Sequence, residues 1–163
     1  MSEATGYTRL QIRLHWLVMV FVILQYALHE GIAEAFDAGL DAGRMTLDVG
    51  AVGHMGLGLL ILLLVFWRIA LRQEHGAPPP PAAEPAWAKL AAKATHHAFY
   101  ALLIALPITG GLAWGMASET FGDVHEVLRA LLLLLILLHV GAVAVHQLVW
   151  KTDLLTRMRS PVD

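Results

Sequence analysis

The 163-residue sequence contains no cysteine. That absence excludes disulfide bonds, iron–sulfur clusters, thiolate-ligated haem and haem attached covalently through a Cys-x-x-Cys-His motif. Any haem bound by this chain must therefore be held non-covalently, with other side chains as its ligands.

Charged residues are also scarce. They make up 15% of the chain and hydrophobic residues 58%, whereas a soluble domain has about 25% charged and about 45–50% apolar residues. The mean hydropathy of +0.64 is typical of a chain surrounded by membrane lipid. The formal net charge is only −2, and we expect no nucleic-acid partner.

The apolar residues are concentrated in four long segments. With their flanks, the predicted helices span about residues 9–30, 48–71, 92–117 and 123–150 of a single domain, 1–163. Only helices and closed barrels satisfy the backbone in lipid, and apolar runs of this length are typical of helices. The sequence therefore predicts an all-α membrane protein, an antiparallel bundle of four transmembrane helices. A Pro-rich segment, 77–85, is predicted to be an extended linker.

The basic residues predict the orientation of the bundle. Nine of them lie near the chain ends or between the second and third helices: Arg9, Arg13, Arg68, Arg72, Lys89, Lys93, Lys151, Arg157 and Arg159. The opposite side carries only Arg44 and Arg129, together with eight carboxylates: Glu30, Glu34, Asp37, Asp41, Asp48, Glu119, Asp123 and Glu126. The excess of positive charge predicts that both termini are cytoplasmic.

Histidines inside the apolar segments are the strongest functional signal. His125 and His139 are fourteen residues apart, which places them on nearly the same helix face and about 21 Å apart along the axis. The predicted depths pair His54 with His125 near the outside and His15 with His139 near the inside. Buried imidazoles are costly unless they bind something, so the pattern indicates two stacked haems with low-spin iron suited to electron transfer.

Other interpretations of these histidines remain open. His15 and His29 are also fourteen residues apart, so the first and fourth helices could carry two ligands each. Glycines around His54 would admit a flat macrocycle, or would simply allow close helix packing. Imidazoles also suit zinc, copper and nickel, as in a histidine-lined transition-metal transporter. A structural anchor with hydrogen-bonded histidines is a third interpretation.

Two further groups lie near the cytoplasmic end. His146, Trp150 and Lys151 could bind and protonate a quinone, or could form an ordinary interfacial belt. Arg9 and His96 are candidate contacts for haem propionates, although both residue types are also common at membrane interfaces.

At this point the sequence resembles the bacterial cytochrome b561 family, in particular its short di-haem members with superoxide oxidase (superoxide:ubiquinone oxidoreductase) activity. The resemblance covers residues 7–158. The motifs that carry it are Arg9-Leu-Gln-Ile-x-x-His15-Trp16, Gly53-His54 followed by Arg68 and Arg72, His96-x-x-x-Tyr100 followed by Ile104-Ala-Leu-Pro107, His125-Glu126, and His139 with His146, Trp150 and Lys151.

The resemblance implies a b-type di-haem bundle in the bacterial inner membrane. His15 and His139 would ligate the cytoplasmic-side haem, and His54 and His125 the periplasmic-side haem. His146, Trp150 and Lys151 match positions associated with a quinone site, and ubiquinone is the expected acceptor from the quinone pool.

The resemblance does not extend to the outer surface. The loop after the third helix is short, and the first outer loop is long and acidic. An acidic surface disfavours an anionic donor such as superoxide and suits a basic periplasmic redox protein. The alternatives are therefore an autonomous oxidoreductase and a haem-bearing membrane subunit of a larger dehydrogenase.

Overall fold

The computed structural model describes residues 6–81 and 84–163, and in this part of the chain it is all-helical, with 79% helix and no strand. The helices are α1 (Arg9–Ala27), α2 (His29–Asp41), α3 (Val49–His75), α4 (Ala86–Gly115), α5 (Glu119–Leu148) and α6 (Leu154–Arg157). Four of them, α1, α3, α4 and α5, are long and apolar enough to cross a membrane. The predicted fold class is therefore confirmed.

Local signals define the ends of these helices. The Thr8 side chain accepts a hydrogen bond from the backbone N–H of Gln11, and the Gln11 side-chain oxygen accepts one from the backbone N–H of Thr8, so the two form a capping box at the start of α1. Asp48 caps α3 in a similar way. Gly76, with φ of 75°, ends α3 in a conformation that favours glycine.

The four long helices alternate in direction, so both chain ends and the α3–α4 linker lie at one end of the bundle. We call this end the termini side and the opposite end, with α2 and the α4–α5 turn, the α2 side. At the termini side, the Trp16 indole donates to the Met158 carbonyl at 2.8 Å, and Arg157 donates to the Pro79 carbonyl at 2.8 Å. These bonds tie the C-terminal segment to α1 and to the linker.

Packing is closest between α1 and α3, between α3 and α4, and between α4 and α5. The core is built from buried aliphatic side chains, mainly of α1 and α3: Leu14, Val18, Val22, Ile61, Leu64, Val65, Leu71 and Leu132. Many other large apolar side chains are exposed, such as Leu137 at 62%. Such an outward-facing apolar surface is suited to lipid rather than to water.

The structure differs from the predicted helix bounds in four main places. The second transmembrane helix, α3, runs to His75 rather than to 71. The first helix ends at Ala27, and a separate helix, α2, follows in the acidic outer segment. The third transmembrane helix, α4, begins at Ala86 rather than near 92 because Pro85 is suited to the start of a helix. The fourth, α5, begins at Glu119 rather than 123, after a cap from Ser118. In the linker predicted at 77–85, residues 82 and 83 lie outside the described part.

Candidate functional site

His54 of α3 and His125 of α5 face each other near the α2 side. Their ring centroids are 6.3 Å apart. The Nδ1 of His125 lies 2.9 Å from the carbonyl oxygen of Leu106. Because a carbonyl only accepts, this nitrogen carries the proton, which leaves the Nε2 lone pair available to a metal. Gly110 makes room for the ring, since a Cβ there would lie 3.1 Å from its Cε1 and Nδ1 atoms.

A cavity of about 530 Å³ surrounds this pair and extends to α1, α2 and α4. Pockets for small ligands and cofactors have volumes of about 300–1,000 Å³. Four buried polar atoms on its lining residues lack a hydrogen-bond partner: Gln25 Oε1, His29 Nδ1, His54 Nδ1 and Arg129 Nε. Buried polar groups are normally paired, so this cluster of unpaired atoms is what a site for a polar-edged ligand would contain.

His29 lines the same cavity from the start of α2. Burial lowers its pKa below the ordinary value, and the Arg129 guanidinium lowers it further, against the opposing effect of Glu126 and Glu30. Its imidazole is therefore neutral at neutral pH, as a metal ligand must be. The ring contacts of the described residues, however, pair His54 with His125 and do not include His29.

A second group of imidazoles lies nearer the termini side. The His139 ring of α5 lies 6.5 Å from that of His15 on α1 and 6.0 Å from that of His96 on α4, centroid to centroid. Phe99 packs edge-on against His139 at 5.4 Å. The structure thus brings His15 and His139 together as predicted, and adds His96 as a second neighbour.

His96 and His15, the two neighbours of His139, differ in their hydrogen bonds. The Nδ1 of His96 donates to the Ala92 carbonyl at 2.7 Å and leaves Nε2 free. The Nδ1 of His15 lies 3.4 Å from Nη2 of Arg68. A guanidinium only donates, so His15 carries its proton on Nε2 here. Ligation through Nε2 requires the proton to move to Nδ1, and Arg68 must then turn away from Nδ1.

The spacing of the paired rings suits a metal between them. Two metal–nitrogen bonds of about 2 Å, with about 1 Å from nitrogen to ring centre at each end, separate the ring centres by about 6 Å. His54–His125 and His15–His139 both come close to this value, at 6.3 and 6.5 Å. Within the described ranges, no group of three or more His, Cys, Asp or Glu side chains could hold a bare metal ion. Two imidazoles at this spacing fit haem, whose porphyrin supplies the other four ligands.

A third cluster lies at the termini side, at the end of α5. The rings of His146 and Trp150 are 4.6 Å apart, and the Nδ1 of His146 lies 3.0 Å from Thr152 Oγ1. The Nε2 of His146 faces Glu84, at 3.6 Å from its Oε1 atom. Both ring nitrogens thus face protein groups. Lys151 is exposed and has a positive φ of 50°.

Glu84 was missed by sequence reasoning. It lies in the Pro-rich linker, where a carboxylate is normally solvated, yet its side chain is only 3% exposed. Only the return of the linker to the bundle places it beside His146.

The two candidate propionate contacts, Arg9 and His96, differ in exposure, and so do the neighbouring residues His96 and His97. Arg9 is exposed and bonds through its guanidinium to the carbonyl of Asp163 at 3.0 Å. His97 is also exposed and bonds to the Lys93 carbonyl at 2.7 Å. His96 is half-buried, and it lies beside His139 as described above.

The chain is similar in sequence to known proteins. Residues 6–161 match the family described as Prokaryotic cytochrome b561. Cytochrome b562 of Cereibacter sphaeroides is 32% identical, with 99% of each chain covered. Cytochrome b561 homolog 1 of Escherichia coli is 26% identical, with 93% of this chain and 96% of that protein covered. Probable superoxide oxidase CybB of Yersinia pestis is 32% identical, with 93% and 94% covered.

These matches extend over nearly the whole chain, including all four apolar helices. Family and helices together identify a multi-pass protein of the inner membrane with b-type haem as its cofactor and electron transfer as its activity. The chain belongs to the prokaryotic cytochrome b561 family.

Proposed function

We propose that this protein is a di-haem b cytochrome that transfers electrons across the cytoplasmic membrane between a periplasmic-side donor and a quinone, with ubiquinone as the expected acceptor. The observation that carries the proposal is the presence of two imidazole pairs, with ring centroids 6.3 and 6.5 Å apart, at two levels of one bundle. Haem supplies reversible one-electron chemistry when bound, and two imidazole ligands leave no open position for oxygen.

Each pair would hold one haem. His54 and His125 would ligate the iron near the α2 side, where the Leu106 carbonyl keeps His125 in the ligating tautomer. His15 and His139 would ligate the second. Arg68, after turning away from His15, would direct Nη2 of its guanidinium toward a haem carboxylate. His96 and Arg9 remain candidate propionate contacts.

The proposed orientation places the termini side in the cytoplasm. Nine of the eleven lysines and arginines belong to this side by sequence, and basic residues favour the cytoplasmic face. The His54–His125 pair would then lie toward the periplasm and the His15–His139 pair toward the cytoplasm. Because His125 and His139 share α5, one rigid helix would set the separation of the two sites.

The quinone site is proposed at the termini side, around His146, Trp150 and Lys151. The Trp150 indole stands edge-on to the imidazole of His146, and together they form an aromatic wall with a polar edge. The exposed Lys151 supplies a positive charge at the water boundary. An aromatic wall beside proton-bearing groups is suited to a planar carbonyl compound.

The proposed donor is chosen from the charge of the opposite surface. The carboxylates of Glu30, Glu34, Asp37 and Asp41 are all exposed on α2, beside the cavity of the His54–His125 pair. A negative surface attracts a basic redox protein and repels an anion such as superoxide. This surface favours a basic periplasmic protein, or a larger dehydrogenase of which the chain is the haem-bearing subunit, over superoxide.

The test is a reduced-minus-oxidised absorption spectrum of the purified protein, with a count of haem per chain. We expect a sharp low-spin b-type spectrum and about two haems per chain. Superoxide and a basic soluble cytochrome are then compared as electron donors for quinone reduction, at low and high salt. A colourless protein that binds zinc would contradict the proposal and revive the metal transporter.

Replacing Gly110 by alanine should disturb the haem near the α2 side. The new Cβ would lie 3.1 Å from the His125 ring, and such overpacking costs about 1–3 kcal/mol. We expect haem transfer from that site to apomyoglobin to accelerate about fivefold or more. Gly111→Ala is the matched control, because its Cβ would meet open space. Equal rates for the two variants would contradict this assignment.

A further inference from the structure

The pair formed by Glu84 and His146 differs from the other ion pairs of the described chain. Their side chains are 3% and 10% exposed, whereas each of the other pairs has a partner that is at least 40% exposed, and their Oε1 and Nε2 atoms lie 3.6 Å apart. Burial of a carboxylate is expensive unless it is compensated. An apolar linker residue would close this end of the bundle at lower cost, so stability does not account for the carboxylate.

The neighbours of His146 determine where its proton lies. Thr152 Oγ1 is 3.0 Å from Nδ1 and 3.5 Å from the His146 carbonyl. Donation of the hydroxyl proton over the shorter distance makes Nδ1 an acceptor, and the imidazole then carries its own proton on Nε2. This proton is directed at the Glu84 carboxylate. One proton can therefore move along a short line from imidazole to carboxylate.

Two indole rings lie near the pair. Trp150 stands edge-on to His146 at 4.6 Å and edge-on to Trp87 at 6.2 Å, centroid to centroid. Glu84 directly precedes the turn into α4, with its backbone N–H bonded to the Pro81 carbonyl at 3.0 Å. The linker, the start of α4 and the end of α5 thus bring together a buried carboxylate, a buried imidazole and two indoles at the termini side, and the Trp87 indole is exposed.

We propose that Glu84 is the proton donor to the quinone, and that His146 resupplies it rather than binding the quinone directly. This inference rests on the proposed quinone site. Reduction of a quinone to a hydroquinone consumes two electrons and two protons. The electrons come from the haem-bearing core. Glu84 gives its proton to a quinone oxygen and regains one from Nε2 of His146, while Nδ1 of His146 takes a proton from the Thr152 hydroxyl, which is reprotonated by water. The second proton is taken from water at the same face.

This proposal explains why both nitrogens of His146 face protein groups. An imidazole engaged by Thr152 and Glu84 has no free nitrogen for a quinone oxygen, but it is placed to pass a proton between them. Glu84, whose carboxyl group has a second oxygen, can face the imidazole and the quinone together.

The test compares Glu84→Gln with Glu74→Gln in the full haem-loaded protein. Glutamine keeps the shape of Glu84 but cannot donate an acid proton, and Glu74 is a 71%-exposed carboxylate on the same side. We expect Glu84→Gln to slow the reduction of ubiquinone-1 by the reduced protein about a hundredfold, at the low end of general-acid effects. KM should stay within about twofold of wild type, and the haem spectrum should be unchanged. A purely structural defect would alter both of these properties as well as the rate.

Infrared difference spectra supply a readout that is independent of turnover. Reduction of bound ubiquinone-1 should change a carboxyl band that shifts in D2O, in wild type and Glu74→Gln but not in Glu84→Gln. Wild-type kinetics in Glu84→Gln, or a wild-type spectrum without that band, would overturn the proposal even if one variant folds poorly. A haem-replete wild type that reduces no quinone would instead overturn the quinone site itself, and this inference with it.

Discussion

His139→Ala should remove one of two haems from the purified protein. His139 is the shared neighbour of His15 and His96, at 6.5 and 6.0 Å between ring centroids, so either assignment of its partner makes it a ligand. Alanine leaves the iron without this bond, and haem held non-covalently is then lost. We expect the haem content to fall from about two to about one per chain, with the remaining spectrum still low-spin.

The matched control is His97→Ala. His97 is exposed and bonded to the Lys93 carbonyl, so its removal should leave both haems in place. A full haem content in His139→Ala, or an equal loss in His97→Ala, would contradict the proposed ligand set.

The same measurement identifies the partner of His139. If His15 is the second ligand, His15→Ala should lose the same haem as His139→Ala. His96→Ala should keep this haem, and the reduction potential of the haem should shift if His96 contacts one of its propionates. The reverse result would make His96 the ligand and leave His15 paired with Arg68, as their 3.4 Å contact permits.

Helix periodicity explains why sequence alone could place the histidine pairs in space. The rise per residue sets the depth of each imidazole within a bundle of alternating helices. The pairing of His54 with His125 and of His15 with His139 needs only this depth and an inward face. The third imidazole beside His139 could not be foreseen in this way, because the depth and direction of His96 depend on where α4 begins. That start, Ala86, lies earlier than the apolar run indicates.

The α2 helix was missed because its acidic composition is typical of a surface loop. Its apolar residues Ile32, Phe36 and Leu40 recur every four positions, which is the spacing of one face of a helix. All three line the cavity of the His54–His125 pair. A search for helical periodicity outside the hydrophobic runs would have found it.

Glu84 illustrates a different limit. No periodicity applies to an extended Pro-rich segment, and burial of its carboxylate depends on the tertiary contacts that hold the linker. Arg157 contributes one of them through the Pro79 carbonyl. A lone acidic residue in a linker gives no local signal, so the candidate proton donor could be recognised only from the structure.

His54→Ala should remove the other haem, whereas His29→Ala should not. Both imidazoles line the same cavity, and each has a buried Nδ1 atom without a partner. Only His54 forms a ring pair with His125, at 6.3 Å. We therefore expect His54→Ala to lower the haem content to about one per chain, with loss of the low-spin signal from that site. His29→Ala should retain about two haems per chain.

His54→Ala and His29→Ala together show which of the two histidines is the ligand opposite His125. If His29 of α2 replaced His54 opposite His125, the outcomes would be exchanged. Removal of His54 should also block electron entry from a periplasmic-side donor, while chemical reduction of the remaining haem by a membrane-permeant reagent continues. If His29→Ala lost a haem and His54→Ala kept both, His29 would replace His54 as the proposed ligand. The four-helix bundle would not be affected by this change.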